Sequence, residues 1–397
     1  MKIYKLFILL ILFISPFVGA DSYYSAFGLG IPHYFVSPQA VGMGGAGIAV
    51  HQYLALNEMN PAGVYLNEYT MISVGYQGEI IQNNVRDASV TTRQGNASGF
   101  RFAIPISKYR IAILAGLKPL LKSEISGEFS DQYEEFYLTR SITTSGGISA
   151  ASIGIKYSLF PWLHVGGLFN FNFGAYNEVW KTQFDNDTFI NTTSDITSHL
   201  WGTNAELGII YKPSTLFSFG GIVRTSSKLT IETTTVAGSG ISLPPINQTA
   251  VYPLALGMGG ALDFTKFLIT SDIYMQFWED YELDGQKNES LTNFLRAGAG
   301  IEYLHSKDAM EAYGKRVAYR FGASYAQLPF LDDTGKAAVE YFATFGIGFP
   351  FNKNAGRIDL SLEYGERRSS SDYQFSEELI RITAHVTSAE KWFQQLF

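Results

Sequence analysis

The strongest constraint on the fold of this chain is an alternation of apolar and polar residues that recurs along most of its length. In the stretch RIDLSLEY, which begins at Arg357, Ile358 and Leu360 alternate with Asp359 and Ser361. Successive side chains of a strand point to opposite faces, so this stretch is predicted to be a strand with one apolar and one polar face. Long amphipathic helix patterns are missing. The same alternation recurs near 100–106, 153–157, 201–209, 317–325 and 380–386.

Three features favour a membrane barrel over a soluble β-sandwich, which would alternate in the same way. The segments exceed the five or six residues usual for soluble strands, aromatic residues lie near segment ends, and short connections alternate with long ones. Charged residues make up 16% of the chain, against about 25% in soluble domains. The sequence therefore predicts an all-β fold, a transmembrane antiparallel β-barrel of about fourteen strands. A soluble sandwich is the alternative.

The connections predict how the barrel lies in the membrane. Short turns are expected after even-numbered strands, and long polar connections after odd-numbered ones, at 81–97, 122–147, 185–198 and 236–250. In outer-membrane barrels short turns face the periplasm. We therefore expect a multi-pass protein of the bacterial outer membrane with both termini periplasmic. The predicted strands centre on 69–80, 98–106, 111–121, 148–158, 163–175, 199–211, 216–230, 251–264, 268–280, 293–304, 316–328, 338–350, 357–367 and 377–390.

The first twenty residues have the pattern of an export signal. Lys2 and Lys5 precede an uninterrupted apolar run from Leu6 to Ile14, and small residues lead up to Ala20. The run would form about 14 Å of helix, too short for a bilayer core of about 30 Å. We divide the chain into a signal peptide at 1–20, an N-terminal hatch at 21–66 and a transmembrane barrel at 67–397.

The predicted hatch does not follow the strand pattern. A barrel of about fourteen strands leaves a lumen that must be filled or conduct water, and glycine permits tight turns close to a wall. We therefore expect a periplasmic hatch that plugs the barrel, with an irregular periplasmic tail as the alternative. Its two motifs are Gly42, Met43, Gly44, Gly45, Ala46 and Gly47, then Asn60, Pro61, Ala62 and Gly63.

These two motifs resemble the hatch of the FadL-type outer-membrane transporters of long-chain fatty acids and aromatic hydrocarbons. The stretches 211–226 and 253–278 are similar to later strands of that family. The resemblance implies that external loops catch a hydrophobic substrate, which passes to an internal apolar pocket and leaves where the third strand is kinked. The motifs also resemble the related PorV-like proteins, which serve as shuttle or attachment factors in a bacterial secretion system.

Two features are candidates for the parts that the resemblance implies. Pro119 lies inside the predicted third strand, and proline opens or bulges a central strand because it cannot donate to the ladder. The alternative is that Pro119 ends the strand at the outer rim. The predicted connection 122–147 carries aromatic side chains that suit a hydrophobic capture groove or a protein contact: Phe129, Tyr133, Phe136 and Tyr137.

Other chemistry is sparse. The chain has no cysteine, which excludes disulfides, thiolate metal sites and cysteine nucleophiles. The six histidines show no metal-ligand spacing, so we predict no metal, cofactor or catalytic residue. The net charge of −7, with no basic run, argues against nucleic acid as a partner. Polar positions of the strands carry charges of both signs, which we expect to pair inside the lumen: Arg101, Lys156, Glu206, Asp272, Arg296, Glu302, Arg320, Asp359, Glu363 and Arg381.

Three functions follow from these features. The first is passive uptake of hydrophobic compounds through a plugged barrel, and not catalysis. Its expected partners are outer-membrane lipid, a hydrophobic small molecule and the barrel-assembly machinery. The second is a PorV-like interaction or shuttle role, with secretion-system proteins as partners. The third is a general porin or a barrel enzyme; a porin needs an open polar channel, which the predicted hatch argues against.

Overall fold

A computed structural model describes residues 22–26, 29–33, 37–52, 56–65, 68–85, 88–107, 110–133, 136–185, 189–238, 240–332, 334–369 and 375–392. The predicted signal peptide lies outside these residues. The described residues form a closed antiparallel β-barrel of fourteen strands, as the alternation predicted. Among them, no helix combines the length and apolar character needed to cross a membrane.

The barrel strands are numbered β1 to β14 in chain order. The first six are β1 Thr70–Val85, β2 Ala88–Ser107, β3 Ile111–Tyr133, β4 Phe136–Phe160, β5 Leu163–Phe184 and β6 Thr192–Tyr211. The next three are each interrupted once: β7 Phe217–Arg224 and Ser227–Val236, β8 Ile246–Tyr252 and Ala255–Asp263, β9 Phe267–Gln276 and Glu282–Leu283. The last five are β10 Phe294–Leu304, β11 Ala318–Leu331, β12 Ala337–Phe351, β13 Gly356–Ser369 and β14 Phe375–Glu390.

The barrel closes where its last strand pairs with its first. The register of β14 and β1 runs from Glu390 opposite Thr70 to Phe375 opposite Val85. We call the end that holds Thr70 and Glu390 the terminal rim, and the end where β1 leads into β2 the hairpin rim. Closure pairs the edges of the sheet, which a barrel in lipid requires because hydrocarbon offers no hydrogen-bond partners.

Several predicted long connections are strand rather than loop. Residues 81–97 belong mostly to β1 and β2, and residues 122–147 mostly to β3 and β4. The 23 residues of β3 measure about 75 Å at about 3.3 Å each, more than a tilted strand needs to cross about 30 Å of hydrocarbon. Where a strand projects beyond lipid, water reaches both faces and apolar alternation disappears. The apolar–polar alternation therefore did not predict the strands in these projecting parts.

Inside and outside differ as the alternation predicted. Apolar side chains such as Ile153, Met258 and Phe321 are exposed on the outer face. The charged residues predicted to point inward are buried, except Arg381, whose side chain is partly exposed. The barrel thus presents an apolar surface to lipid and encloses its charges.

The N-terminal segment, meaning the described residues between 22 and 65, lies within the lumen. Ser22 donates to Glu377 near the hairpin rim, while Ile31–Pro32 pairs with β3. The segment contains the one-turn helix α1, Pro38–Val41, and the 3-10 turns Tyr23–Ala26 and Pro61–Gly63. The sequence led us to expect its start at the terminal rim. Instead, its described residues begin in the hairpin half and run towards that rim. Of two further 3-10 turns, Trp278–Asp280 lies in the interruption of β9, and Tyr313–Arg316 lies between β10 and β11.

Candidate functional site in the barrel lumen

The glycine-rich motif of the N-terminal segment is bound to the wall through its backbone. The Asp272 carboxylate of β9 accepts hydrogen bonds from the Gly47 and Ile48 N–H groups, at 2.5 and 2.7 Å. The Arg296 guanidinium of β10 donates to the Gly44 carbonyl oxygen at 2.9 Å. Inward charges of the wall therefore bind peptide groups of the motif, as charge-assisted hydrogen bonds.

Glycines of the wall allow this close approach. A Cβ atom added at Gly300 would lie 2.5 Å from the Met43 Cα, and one at Gly322 would overlap the Gly44 nitrogen. Gly44 itself has φ of +65°, a left-handed conformation that favours glycine. Glycine thus faces glycine across the contact. Sequence reasoning found the motif but missed its wall partners, because they lie singly on separate strands and have no local signal.

Asn60 joins the second motif to the first and to the wall. Its Oδ1 accepts from the Ala62 N–H at 2.9 Å and caps the turn Pro61–Gly63. Its Nδ2 donates to the carbonyl oxygens of Ile48, at 2.9 Å, and of Ile209 in β6, at 3.1 Å. One buried amide therefore holds two parts of the segment and one strand together.

The terminal half of the lumen is polar and charged. The Arg101 guanidinium of β2 donates to the Glu58 carbonyl oxygen at 2.9 Å. Burial raises the pKa of the Glu58 carboxyl to about 8, partly opposed by Arg101. In the wall, Arg320 forms ion pairs with Glu302 at 2.7 Å and Asp359 at 2.6 Å. These pairs are the lumen network that the mixed charges predicted.

One side of the hairpin half of the lumen is apolar, while the side formed by β1 and β12 to β14 carries buried ion pairs such as Arg367 with Glu377 at 2.7 Å. Leu120 and Leu121 of β3 pack there with inward side chains of the opposite wall and with Tyr24 of the N-terminal segment. Porin lumens are polar, so this lining departs from a water channel. The opposite wall contributes Leu229, Ile231, Tyr252, Tyr274, Trp278, Tyr281, Phe294, Leu328 and Phe330.

A gap in the strand pairing of the wall, which we call the opening, lies beside Pro119. Within the described parts of β2 and β3, their pairing runs only from Ser107 opposite Ile111 to Phe100 opposite Leu117. On the other edge of β3, the register with β4 shifts at Pro119. The cavity there measures about 410 Å³. Pro119 therefore lies within a long strand, and the alternative that it ends β3 at the rim is wrong.

The freed edge of β3 is partly taken by the N-terminal segment. Ile31 and Pro32 lie opposite Lys122 and Leu121, and the His33 N–H donates to the Leu120 carbonyl oxygen at 2.8 Å. Leu121 also belongs to the apolar lining. The opening, the segment and the apolar side of the lumen therefore meet at one place.

The four candidate capture aromatics lie on strands, not in a loop. Phe129 of β3 and Tyr137 of β4 are each 62% exposed on the projecting hairpin. Tyr133 and Phe136 end the same two strands, and their side chains lie outside the description. Among the described residues, no group of His, Asp and Glu could hold a metal ion.

Solved structures share this architecture. The Ralstonia pickettii toluene transporter TbuX matches with a TM-score of 0.60 at 16% identity, over 88% of this chain and 97% of that one. A Pseudomonas aeruginosa FadL homologue matches with a TM-score of 0.61 at 11% identity, over 91% and 99%. The Pseudomonas putida toluene transporter TodX gives 0.58 at 16% identity, over 95% and 100%. No curated protein matches the chain in sequence.

The closed barrel and these matches define the fold as that of the FadL-type outer-membrane barrels, which confirms the resemblance seen in the sequence. The likeness extends along almost the whole of each matched chain. A family model sharpens the assignment. The chain belongs to the BamG family, whose model matches residues 2–396.

Proposed function

We propose that this protein lets small hydrophobic compounds, such as long-chain fatty acids or aromatic hydrocarbons, cross the outer membrane by passive diffusion. The observation that carries the proposal is the opening beside Pro119, which has a largely polar lining and meets the apolar cluster of the lumen at Leu121. The similar solved structures are those of toluene transporters and a FadL homologue. The proposal assigns no catalytic role to any residue.

The apolar cluster of the lumen supports a hydrophobic compound as substrate. Such a compound gains free energy by leaving water for an apolar lining, at roughly 25 cal/mol per Å² of buried surface. The lining reaches β3 through Leu120 and Leu121, beside the opening. A compound entering at the hairpin rim would thus follow the apolar side of the wall and leave sideways into lipid without crossing the terminal half.

The N-terminal segment has the placement expected of a plug. It runs through the lumen from the hairpin half towards the terminal rim, and Asp272 and Arg296 of the wall and its own Asn60 hold its backbone. A polar solute would have to displace these hydrogen bonds to pass along the barrel axis. We infer that the segment blocks water and ions while the side opening serves apolar compounds, with the terminal rim facing the periplasm.

Narrowing the opening tests the proposal. Cells that lack their own FadL-type barrel would express the protein, and uptake of labelled oleate and toluene would be measured. Ala97 borders the opening, so Ala97→Trp should reduce uptake about tenfold or more. Met258→Trp adds the same ring on the outer face of β8 and should leave uptake unchanged. Uptake no greater than that of cells without the protein would reject transport.

The projecting hairpin supports a second candidate, the PorV-like interaction role. Phe129 and Tyr137 hold exposed aromatic side chains there, and aromatic residues are enriched in protein interfaces. In that case Phe129→Ala combined with Tyr137→Ala should abolish cross-linking to secretion-system proteins in intact cells. Under the transport proposal, the hairpin contributes capture, and the same pair should lower uptake at low substrate concentration.

A further inference from the structure

A cavity at the terminal rim is not explained by passage through the barrel. It measures about 750 Å³ and lies between the N-terminal segment and the short turns that join β4 to β5 and β6 to β7. We call it the rim pocket. Its polar lining comes chiefly from His51, Arg110, Lys156, His164 and Lys212.

The rim pocket is cationic. Three of its lining residues carry a formal positive charge, and no Asp or Glu is among its described lining residues. Other buried cations of the lumen have acceptors: Lys118 pairs with Glu206 at 2.7 Å, and Arg101 donates to the Glu58 carbonyl oxygen at 2.9 Å. Lys156 is fully buried at 0% exposure, and its Nζ has no hydrogen-bond partner within the described residues. Burying an unpaired ammonium costs free energy. A ligand that supplies a hydrogen-bond acceptor to Lys156 would offset that cost.

Two histidines of the rim pocket carry ring nitrogens without partners in the described structure. The rings of His51 and His164 stack with centroids 4.2 Å apart. His164 Nδ1 is hydrogen-bonded to the Ser158 hydroxyl at 2.8 Å, and the Nε2 atoms of both rings are buried without a partner in the described structure. Burial, reinforced by Lys156, holds the pKa of His51 well below its usual range. A neutral ring donates from one nitrogen only. The N–H of His51 is bound by the Val64 backbone, whereas His164 can accept from Ser158 at Nδ1 and donate from Nε2.

An aromatic surface adjoins these donors. The rings of Phe160 and Trp162 stack at 4.9 Å between centroids, and Trp162 meets Tyr211 edge-on at 5.8 Å. Both Phe160 and Trp162 line the rim pocket, and about half of each side chain is exposed. Tryptophan and tyrosine favour the level of the lipid head groups. The pocket thus combines buried cationic donors with an apolar edge at the membrane surface.

We propose that the rim pocket binds the anionic head group, carboxylate or phosphate, of an amphiphile whose chain lies along the Phe160–Trp162 turn. An oxyanion accepts several hydrogen bonds at once, and those from a charged group are the strongest; Lys156 and His164 can donate them. The rings of Phe160 and Trp162 provide an apolar surface for the hydrocarbon chain attached to that head group. This binding does not depend on transport through the barrel, and the two can be tested separately.

Calorimetry on the purified full-length protein in an uncharged detergent tests the proposal. The probes are decyl phosphate, decanoate, inorganic phosphate and the neutral decanol. We expect both anionic amphiphiles to bind at least tenfold more tightly than inorganic phosphate, and decanol not to bind measurably. Comparing decyl phosphate with decanoate then separates a phospholipid source from a fatty-acid source. Equal affinity for inorganic phosphate would overturn the assignment to an amphiphile, and equal affinity for decanol would overturn the anion site.

Lys156→Met is the decisive variant because it keeps the length of the side chain and removes the buried charge. It should weaken binding of decyl phosphate tenfold or more. Since the charge has no partner, the variant should also unfold at a higher temperature than the unaltered protein when no ligand is present. Lys266→Gln removes one charge from the same rim outside the pocket and should change affinity less than twofold. Unchanged affinity in Lys156→Met would overturn the proposal.

Discussion

The Asp272 carboxylate accepts a hydrogen bond from the Ile48 N–H at 2.7 Å, which joins the barrel wall to the N-terminal segment. Asp272→Ala should leave that N–H and the Gly47 N–H buried without an acceptor, at about 1 to 3 kcal/mol each. The barrel should stay folded, because its strand pairing does not involve this side chain. Amide hydrogen exchange in 37–52 should become at least tenfold faster. Asp272→Asn keeps one acceptor oxygen, so its exchange rate should lie between those of the unaltered protein and the alanine variant. Unchanged exchange in the alanine variant would contradict the assigned role.

Two glycine-to-alanine variants test the close approach of wall and segment. A Cβ at Gly322 would overlap the Gly44 nitrogen, whereas one at Gly260 would meet no atom within 4 Å. Overpacking costs about 1 to 3 kcal/mol, so Gly322→Ala should displace the segment and expose it to added protease. Gly260→Ala should be cleaved as slowly as the unaltered protein. Equal cleavage of both variants would show that the contact does not hold the segment.

Asn60→Leu should loosen the segment, because it removes a turn cap and two donated hydrogen bonds at once. We expect a folded barrel whose passage has changed: single-channel conductance in a planar bilayer should rise, and deletion of 27–60 should raise it further. Asn60→Asp keeps the acceptor for the Ala62 N–H and should have the smaller effect. If the intact and deleted proteins conduct equally, the segment is not a plug.

Glu58 makes the docking of the segment dependent on pH. Burial raises its carboxyl pKa from 4.5 to about 8, so the docked state binds more protons between these values. Docking is therefore strongest below about pH 4.5 and weakens as pH rises through about 8. Hydrogen-exchange protection of 56–65, corrected for intrinsic rates, should be lower at pH 9 than at pH 6. Glu58→Gln should remove most of that difference; an equal difference in the variant would assign it to another group.

The direction of the barrel is tested by epitope insertion. Asn191 lies between β5 and β6 at the hairpin rim, and Ser214 lies between β6 and β7 at the terminal rim. With the terminal rim in the periplasm, an antibody should reach an epitope at Asn191 on intact cells but one at Ser214 only after permeabilisation. The reverse labelling would invert the proposed orientation.

The alternation predicted the strands because lipid and lumen impose opposite polarity on neighbouring residues. Where β3 and β4 project beyond lipid, neighbouring residues no longer alternate in polarity. The sequence analysis therefore predicted a loop where the structure has strands. The irregularity at Pro119 could be predicted from the sequence, because proline has no backbone N–H to donate to the neighbouring strand. The loss of pairing between β2 and β3 did not, because it depends on strands that part in space.

The rim pocket shows a second limit of sequence reasoning. His51, Lys156 and Lys212 are far apart in the chain, and each taken alone is an ordinary polar residue. Only the closed barrel brings the turns beside β4 and β6 next to the N-terminal segment. Likewise, Asp272 and Arg296 were predicted to face inward, but nothing in their spacing indicated that their partner would be the backbone of the glycine-rich motif.

The path of the N-terminal segment has a consequence for how the molecule is assembled. The segment joins β1 at the terminal rim, yet Ser22 lies beside Glu377 in the hairpin half. The seam between β1 and β14 is the last that a chain made from its N-terminus can complete, because β14 is synthesised last. Either the sheet curls shut around its own leading segment, or the free end travels through a finished tube. If the sheet closes around the segment, the segment serves as a template for barrel closure. Its loss would then slow pairing of β14 with β1 as well as open the lumen.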